Sequence, residues 1–241
     1  MKNNIFATFV LTLSFSAMAI YADNSATDYL NSGMDKQMNG DCTGAVQDYN
    51  KAIKLDPQSD NAYSNRGYAK SALGDFSGAI EDYNKAIELN PKSEMPYYNR
   101  GFTKCNMNDY KGAIEDFTKA IEINPKFAQA YYYLGYAKSN LDDNKGAIQD
   151  FTKVIELDTK CAMAYYYRGM SKGDLGDFKG AEQDFTKLIE IDPKFDNAYF
   201  YRGMARKQLN DKAGALEDLK KAKELGNAYA DHEIKIIQDG K

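Results

Sequence analysis

A period of 34 residues organises this chain and constrains its fold more than any other feature. A glycine row, an alanine row, a tyrosine row and a mostly aromatic row recur at this spacing in six copies. The rows are Gly33, Gly67, Gly101, Gly135, Gly169 and Gly203; Ala45, Ala79, Ala113, Ala147, Ala181 and Ala215; Tyr29, Tyr63, Tyr97, Tyr131, Tyr165 and Tyr199; and Tyr49, Tyr83, Phe117, Phe151, Phe185 and Leu219. Such agreement predicts a tandem array of small structural units.

Each copy is predicted to form two helices joined by a turn. With the glycine row placed at position 8, the copies cover residues 26–59, 60–93, 94–127, 128–161, 162–195 and 196–229. An aspartate at position 16 is expected to cap the second helix, because its carboxylate accepts hydrogen bonds from free backbone N–H groups. Proline at position 32 ends that helix in copies 1, 2, 3 and 5, and Thr159 stands in its place in the fourth copy. Residues 227–241 are predicted to form a capping helix, from Asn227 to Gln238, and a tail.

The stretch NRGYAKSALGDFSGAIEDYNKAIELNP, from Asn65 to Pro91, resembles the tetratricopeptide repeat. The resemblance covers nearly all of the chain after the N-terminal segment. It implies an all-α, right-handed superhelical solenoid of six helix-turn-helix repeats plus a C-terminal capping helix, with the first helices on the concave side. Three positions depart from the family pattern: position 4 holds Tyr where Trp is frequent, position 7 mostly Arg where Leu is usual, and position 11 Lys or Arg where Tyr is usual.

Large uncharged side chains share one face of the first helices, at positions 5, 6 and 9. Tyr offers broad apolar contact with a hydroxyl, and Met adapts to varied partners, so this face is predicted to form a peptide-binding groove. The candidate groove residues are Tyr68, Tyr98, Asn99, Phe102, Tyr132, Tyr133, Tyr136, Tyr166, Tyr167, Met170, Phe200, Tyr201 and Met204. The alternative is that some of these side chains form core contacts between neighbouring repeats.

One use of the family is to grip the C-terminal carboxylate of a chaperone with basic residues on repeats 1 and 3. The corresponding positions here hold Leu30 and Met34 in repeat 1, and Tyr98 and Phe102 in repeat 3. A free carboxylate needs a cation or several donors. The uncharged rows instead suit an extended or helical polypeptide.

Charged residues recur at two further positions, where the hairpin should bring them side by side. Arginine stands at position 7 in four copies, and aspartate at position 23 in all six: Arg66, Arg100, Arg168 and Arg202, and Asp48, Asp82, Asp116, Asp150, Asp184 and Asp218. We expect an ion pair within each repeat that has both. Recognition of a partner is the alternative role for these arginines.

Composition favours a binding protein over an enzyme. The net charge of −4 and the pI of about 5.2 argue against general binding of a nucleic-acid backbone. His232 is the single histidine, the spacing of Cys42, Cys105 and Cys161 fits no metal site, and no glycine-rich phosphate loop is present. The sequence therefore predicts a non-catalytic protein without cofactor or metal that binds a protein or peptide, with self-association as the alternative.

The N-terminus has the pattern of a secretory signal peptide. Lys2 precedes an apolar run without charge, residues 5–19, and small residues follow. This predicts a signal peptide over residues 1–22, cleaved after Ala19 or Ala22, and a periplasmic, cell-envelope or secreted protein. An uncleaved membrane anchor is the alternative, although the run is short for a membrane span.

Overall fold

The structure, a computed structural model, describes residues 25–239 and shows thirteen α-helices and no strand within them. The helices are α1 (25–38), α2 (Cys42–Leu55), α3 (Asp60–Ala72), α4 (Phe76–Leu89), α5 (Glu94–Asn106), α6 (Tyr110–Ile123), α7 (Ala128–Ser139), α8 (Asn144–Leu157), α9 (Ala162–Asp174), α10 (Phe178–Ile191), α11 (Asp196–Gln208), α12 (Lys212–Glu224) and α13 (Ala230–Gln238). The all-α class is confirmed. The predicted signal peptide, residues 1–22, lies outside the described residues.

The described helices form two compact units, which divide after Asp109. In the first unit, α2 packs on α3, α3 on α4, and α4 on α5. In the second unit, every helix from α6 to α12 packs against the helix that follows it. First helices of neighbouring repeats also touch: α3 contacts α5 in the first unit, and α9 contacts both α7 and α11 in the second. Each unit is therefore a stack of helix-turn-helix repeats, as the sequence predicts.

The turn between the two helices of a repeat is held by the aspartate at position 16. In five repeats its Oδ1 atom accepts a hydrogen bond of 2.8–3.0 Å from the backbone N–H of the glycine three residues later. These five caps are Asp41, Asp75, Asp143, Asp177 and Asp211. The predicted capping role is confirmed for them. It fixes where each second helix begins.

The core runs along the second helices. The residues at positions 20, 24 and 27 are almost fully buried in every repeat, as Ala79, Tyr83 and Ala86 are in repeat 2. The first helices contribute small residues, and these let the backbones approach closely. Gly67 is such a residue: a Cβ there would lie 2.8 Å from Tyr83 Cε1 and 3.1 Å from the carbonyl oxygen of Ala79. The glycine row of the sequence thus marks where a buried ring meets the backbone of the first helix.

The last helix differs from the prediction in its start. It begins at Ala230 rather than at Asn227. The buried Asn227 carboxamide donates to Asp196 Oδ2 at 3.1 Å and to Asn197 Oδ1 at 2.9 Å, while its oxygen accepts from the N–H of Tyr229. These bonds hold residues 227–229 in a turn, so the helix starts after them.

The predicted pairing of position 7 with position 23 is present in both units. Arg66 meets Asp82 with two hydrogen bonds, of 2.8 Å from Nε and 2.5 Å from a terminal nitrogen. Arg168 binds Asp184 at 2.9 and 2.6 Å, and Arg202 binds Asp218 at the same distances. Fork-to-fork contacts of this kind fix both side chains. The structural account of these three arginines is confirmed.

The same arginines also reach the preceding repeat and the tyrosine of their own repeat. Arg66 donates to Asn50 Oδ1 at 2.6 Å, and Arg168 donates to Thr152 Oγ1 at 3.1 Å. Arg66 also lies 5.4 Å from the centre of the Tyr63 ring, a cation–π distance. Each guanidinium therefore ties one repeat to the next, which explains why Arg replaces the usual Leu at position 7.

Position 11 also supplies a cation to the aspartate at position 23, whether or not position 7 holds an arginine. Lys36, Lys70, Lys138, Lys172 and Arg206 contact Asp48, Asp82, Asp150, Asp184 and Asp218, respectively, at 2.5–2.9 Å. The Lys36 hydrogen bond is the main reason why the pKa of Asp48 falls to about 2. Position 11 is therefore basic for a structural reason that the sequence did not reveal.

Candidate functional site

Among residues 25–239, no group of three or more His, Cys, Asp or Glu side chains is placed to hold a metal ion. None of the helices described there combines the length and the apolar character that a membrane crossing needs. The Cys105 side chain is buried, and burial raises the pKa of its thiol to about 12. That thiol stays protonated at neutral pH and does not act as a nucleophile.

The tyrosines at position 6 lie between consecutive repeats. Tyr133 stacks on Phe117, Tyr167 on Phe151 and Tyr201 on Phe185, with ring centroids 6.0, 5.7 and 5.8 Å apart. Each pair joins a first helix to the second helix of the preceding repeat. These side chains are half-buried, so each ring packs between repeats and keeps part of its area at the surface.

The aromatic residues at position 5 stand edge-on to this packing layer. Tyr132 meets Phe151 at 5.9 Å and Tyr167 at 5.8 Å, and Tyr166 meets Tyr201 at 5.8 Å. Burial is the largest cause that raises the pKa of Tyr132 and Tyr166, so both phenols are neutral in the physiological range. The result is a continuous, uncharged aromatic surface along α7, α9 and α11.

A cavity of about 200 Å³ opens between α9, α10 and α11. Met170, Tyr201 and Met204, all predicted groove residues, line it together. Its remaining walls are Gly169, Gly173, Asp174, Phe178, Ala181, Phe185, Ala205 and Gln208. We call this space the repeat 5/6 cavity. It is a recess with apolar walls and a few polar groups, which is the usual composition of a ligand pocket.

Sequence reasoning missed the contributions of Gly173, Asp174 and Phe178 to this cavity. Phe178 comes from the start of a second helix, and the sequence rows of the first helices do not reveal it. Positions 12 and 13 carried a signal, because repeat 5 is the copy that has Gly and then Asp there. This departure from the repeat pattern at two adjacent positions could have marked Gly173 and Asp174 as candidate site residues.

A second recess, of about 130 Å³, lies between α3, α4 and α5 in the first unit. The predicted residues Tyr68, Asn99 and Phe102 line it, with Ser71, Ala72, Tyr83, Thr103 and Asn106. Tyr68 is 48% exposed, and the hydroxyls of Ser71 and Thr103 hydrogen-bond each other at 3.0 Å. The lining is uncharged and mixes aromatic rings with hydroxyl and amide groups that could bind the amide groups of a peptide. Tyr98, also a predicted residue, is half-buried on α5.

The remaining predicted residues lie at the ends of the aromatic surface. Tyr136 meets Tyr110 at 6.4 Å and Tyr167 at 5.8 Å. Phe200 meets Tyr201 at 5.2 Å and the exposed Tyr229 at 6.2 Å. The predicted residues of α7, α9 and α11 thus belong to one connected cluster within the second unit, but only three of them line the repeat 5/6 cavity.

A larger recess of about 500 Å³ lies between α9 and α10, but its charged groups already have partners. Arg168 is bound to Asp184, Lys179 to Glu182 and Lys187 to Glu190. A ligand there would have to break ion pairs that stabilise the repeat. The repeat 5/6 cavity is therefore the better candidate site.

Comparisons with known proteins agree with the geometry. Tetratricopeptide repeat models match residues 61–93 and 96–127, 117–149 and 162–195, and a TPR repeat model matches residues 39–74. No curated protein sequence matches the chain.

Solved structures include several similar folds. YrrB, "a TPR protein with an unusual peptide-binding site", is 26% identical, with a TM-score of 0.72 over 78% of this chain and 97% of its own. A MamA protein is 30% identical, with a TM-score of 0.68 over 73% of this chain and 97% of its own. PilF of Pseudomonas aeruginosa is 17% identical, with a TM-score of 0.75 over 91% of this chain and 99% of its own, and shows the fold alone.

Repeat period, stacked helix pairs, family models and similar structures all lead to the same assignment. This chain belongs to the tetratricopeptide repeat family.

Proposed function

We propose that this chain is a non-catalytic scaffold that binds another polypeptide on the surface formed by the first helices of its repeats. The repeat 5/6 cavity anchors an apolar side chain of the partner. The observation that carries the proposal is the cavity itself, in which Met170, Tyr201 and Met204 converge on an open space.

The chemistry of the cavity favours a polypeptide over a small charged ligand. Thioether and aromatic walls offer contact area without demanding one ligand shape. The half-buried aromatic rows beside the cavity extend the apolar surface along α7, α9 and α11, far beyond one small molecule. The peptide-binding site that YrrB's structure reports supports the proposal, since that protein has the same repeat fold.

Substituting Met204 with Gln should weaken peptide binding by about tenfold, because a buried anchor contact contributes more than about 1 kcal/mol. Short random peptides would first be selected for binding to the full chain. Their affinities for the wild type and for Met204→Gln would then be measured by fluorescence anisotropy.

Met38→Gln is the matched control, since Met38 is 77% exposed on α1 and lines neither recess. It should bind the selected peptides as the wild type does. Equal affinities of all three proteins would contradict an anchor role for the repeat 5/6 cavity.

The proposed place of action is outside the cytoplasm, in the periplasm, cell envelope or surroundings of the cell. Lys2 and the charge-free run over residues 5–19 support a signal peptide. N-terminal sequencing of the exported protein should therefore begin at Ile20 or Asp23. A mature protein that still begins at Met1 would favour the uncleaved anchor.

Self-association is the second candidate function. Tyr229, next to Phe200 of the aromatic cluster, is 71% exposed, and apolar surface of this kind favours contact between copies. Light scattering of the full chain at micromolar concentration separates the two functions. A monomer leaves the cavity for an outside partner, whereas a dimer that Tyr229→Gln dissociates would support self-association.

A further inference from the structure

The repeat 5/6 cavity has one charged side chain at its rim, and we infer that this charge sets the specificity of the site. The preferred partner is a polypeptide segment in which an apolar side chain stands next to Lys or Arg. The apolar side chain fills the cavity, and the Asp174 carboxylate binds the cation. This inference rests on the proposed function and names the partner chemistry of the same site.

Asp174 is the one lining residue that is charged at neutral pH, and its side chain is exposed. It takes part in no ion pair or hydrogen bond among the described residues. Three cations on α9 and α11, the helices beside the cavity, are engaged elsewhere: Lys172 contacts Asp184 at 2.8 Å, Arg206 contacts Asp218 at 2.9 Å, and Lys207 contacts Glu233 at 2.8 Å. A cation from outside the chain is therefore the available partner for this carboxylate.

Asp174 also stands where the helix itself disfavours a negative charge. It is the last residue of α9, and the carbonyl groups at a helix C-terminus make that end partly negative. Position 13 in the other repeats is uncharged, with Met38, Ala72, Asn106, Asn140 and Gln208. An unfavourable charge in one copy of a regular array indicates a role other than folding.

The preceding residue is a second departure at the same cavity wall. Gly173 lies in the last turn of α9, where glycine costs helix stability relative to alanine. A Cβ at this position would meet no atom within 4 Å, so the packing of the helices does not require a glycine. Because Gly173 has no side chain, the helix backbone next to the Asp174 carboxylate is uncovered, and the main chain of a partner can approach it.

The walls determine what stands beside the cation. Phe178, Phe185, Met170 and Met204 enclose the space with carbon and sulfur, and Gln208 is the polar neighbour on α11. A charged side chain placed inside would lose water without gaining a partner. The cation of the partner therefore lies at the rim, and its apolar side chain lies inside the cavity. The partner thus needs an apolar residue and a Lys or Arg next to each other.

The test uses short synthetic peptides and the full chain. Each peptide carries Leu, Met or Phe at its centre, and the residue before or after it is Lys, Gln or Glu. Fluorescence anisotropy at low salt measures affinity for the wild type, Asp174→Asn, Asp174→Lys and Met204→Gln. The wild type should bind the Lys peptides about fivefold more tightly than the Gln peptides, and the difference should shrink as salt screens the pair.

The variants separate the charge from the anchor. Asp174→Asn should abolish the preference for the Lys peptides over the Gln peptides, and Asp174→Lys should favour the Glu peptides. Binding that depends on Met204 but shows no charge preference in the wild type, or the same preference in Asp174→Asn, would overturn this inference alone. If no peptide binds, or if Met204→Gln changes nothing, the proposed function fails together with it.

Discussion

Replacing Asp184 with Asn is expected to lower the free energy of unfolding by about 3–5 kcal/mol. The Asp184 side chain is 4% exposed and holds two cations, Arg168 and Lys172. An amide of the same shape keeps the volume but removes the negative charge. Two positive groups, 15% and 18% exposed, would then face each other without a counter-charge. Removing one partner of a buried pair is costly for this reason.

Asp150 is the matched control, because repeat 4 has Leu134 where repeat 5 has Arg168. Lys138 lies 2.7 Å from Asp150 Oδ2, but that oxygen has no well-aligned hydrogen bond. Burial is the largest influence on this carboxyl and raises its pKa. In Asp150→Asn the removed charge is one whose burial is unfavourable. The substitution should therefore lower the free energy of unfolding by less than about 2 kcal/mol.

Urea denaturation followed by circular dichroism measures both variants against the wild type. The structure predicts a clear order, with Asp184→Asn less stable than Asp150→Asn and both less stable than the wild type. Equal losses of unfolding free energy in the two variants would show that the guanidinium at position 7 contributes little to stability. The aspartate at position 23 would then act through its volume alone.

Substituting Gly67 with Ala is expected to lower the free energy of unfolding by about 1–3 kcal/mol, as overpacking of a filled core does. The new methyl group would lie 2.8 Å from Cε1 of Tyr83, whose side chain is almost fully buried. The Ala79 carbonyl oxygen, 3.1 Å from the same methyl group, belongs to a helix backbone and cannot turn aside as a flexible side chain can. The two helices of repeat 2 must therefore separate.

Gly173→Ala is the matched control for this substitution, since both glycines lie in first helices. A Cβ at Gly173 touches nothing, so the alanine should raise stability by about 0.5–1 kcal/mol through its better helix propensity. Thermal unfolding of the two variants gives the comparison. A loss of stability in Gly173→Ala, or none in Gly67→Ala, would contradict the assigned roles of the two glycines.

The two glycines illustrate how function can be located in a repeat protein. Gly67 repeats a requirement that at least five copies share, because Gly33, Gly67, Gly135, Gly169 and Gly203 each lie against a large buried side chain at position 24. Gly173 and Asp174 satisfy no such requirement and occur together in one repeat. Regular positions report packing between helices, whereas the role proposed for this irregular pair is in binding.

The sequence by itself determined the helix pairs and the residues that join them. The 34-residue period, the aspartate caps at position 16 and the pairing of Arg66 with Asp82 follow from local chemistry and helix spacing. Such features depend on residues close in the chain or at a fixed offset. They can be inferred before the repeats are stacked.

Only the tertiary structure decided which face of each side chain is covered. The sequence could not separate groove from core at Tyr133, Tyr167 and Tyr201, because the ring on which each one stacks belongs to the preceding repeat. The second cation at position 11 and the Asn227 turn also depend on contacts between distant residues. The distance and angle between packed helices set these contacts, and a residue pattern along one helix does not contain that information.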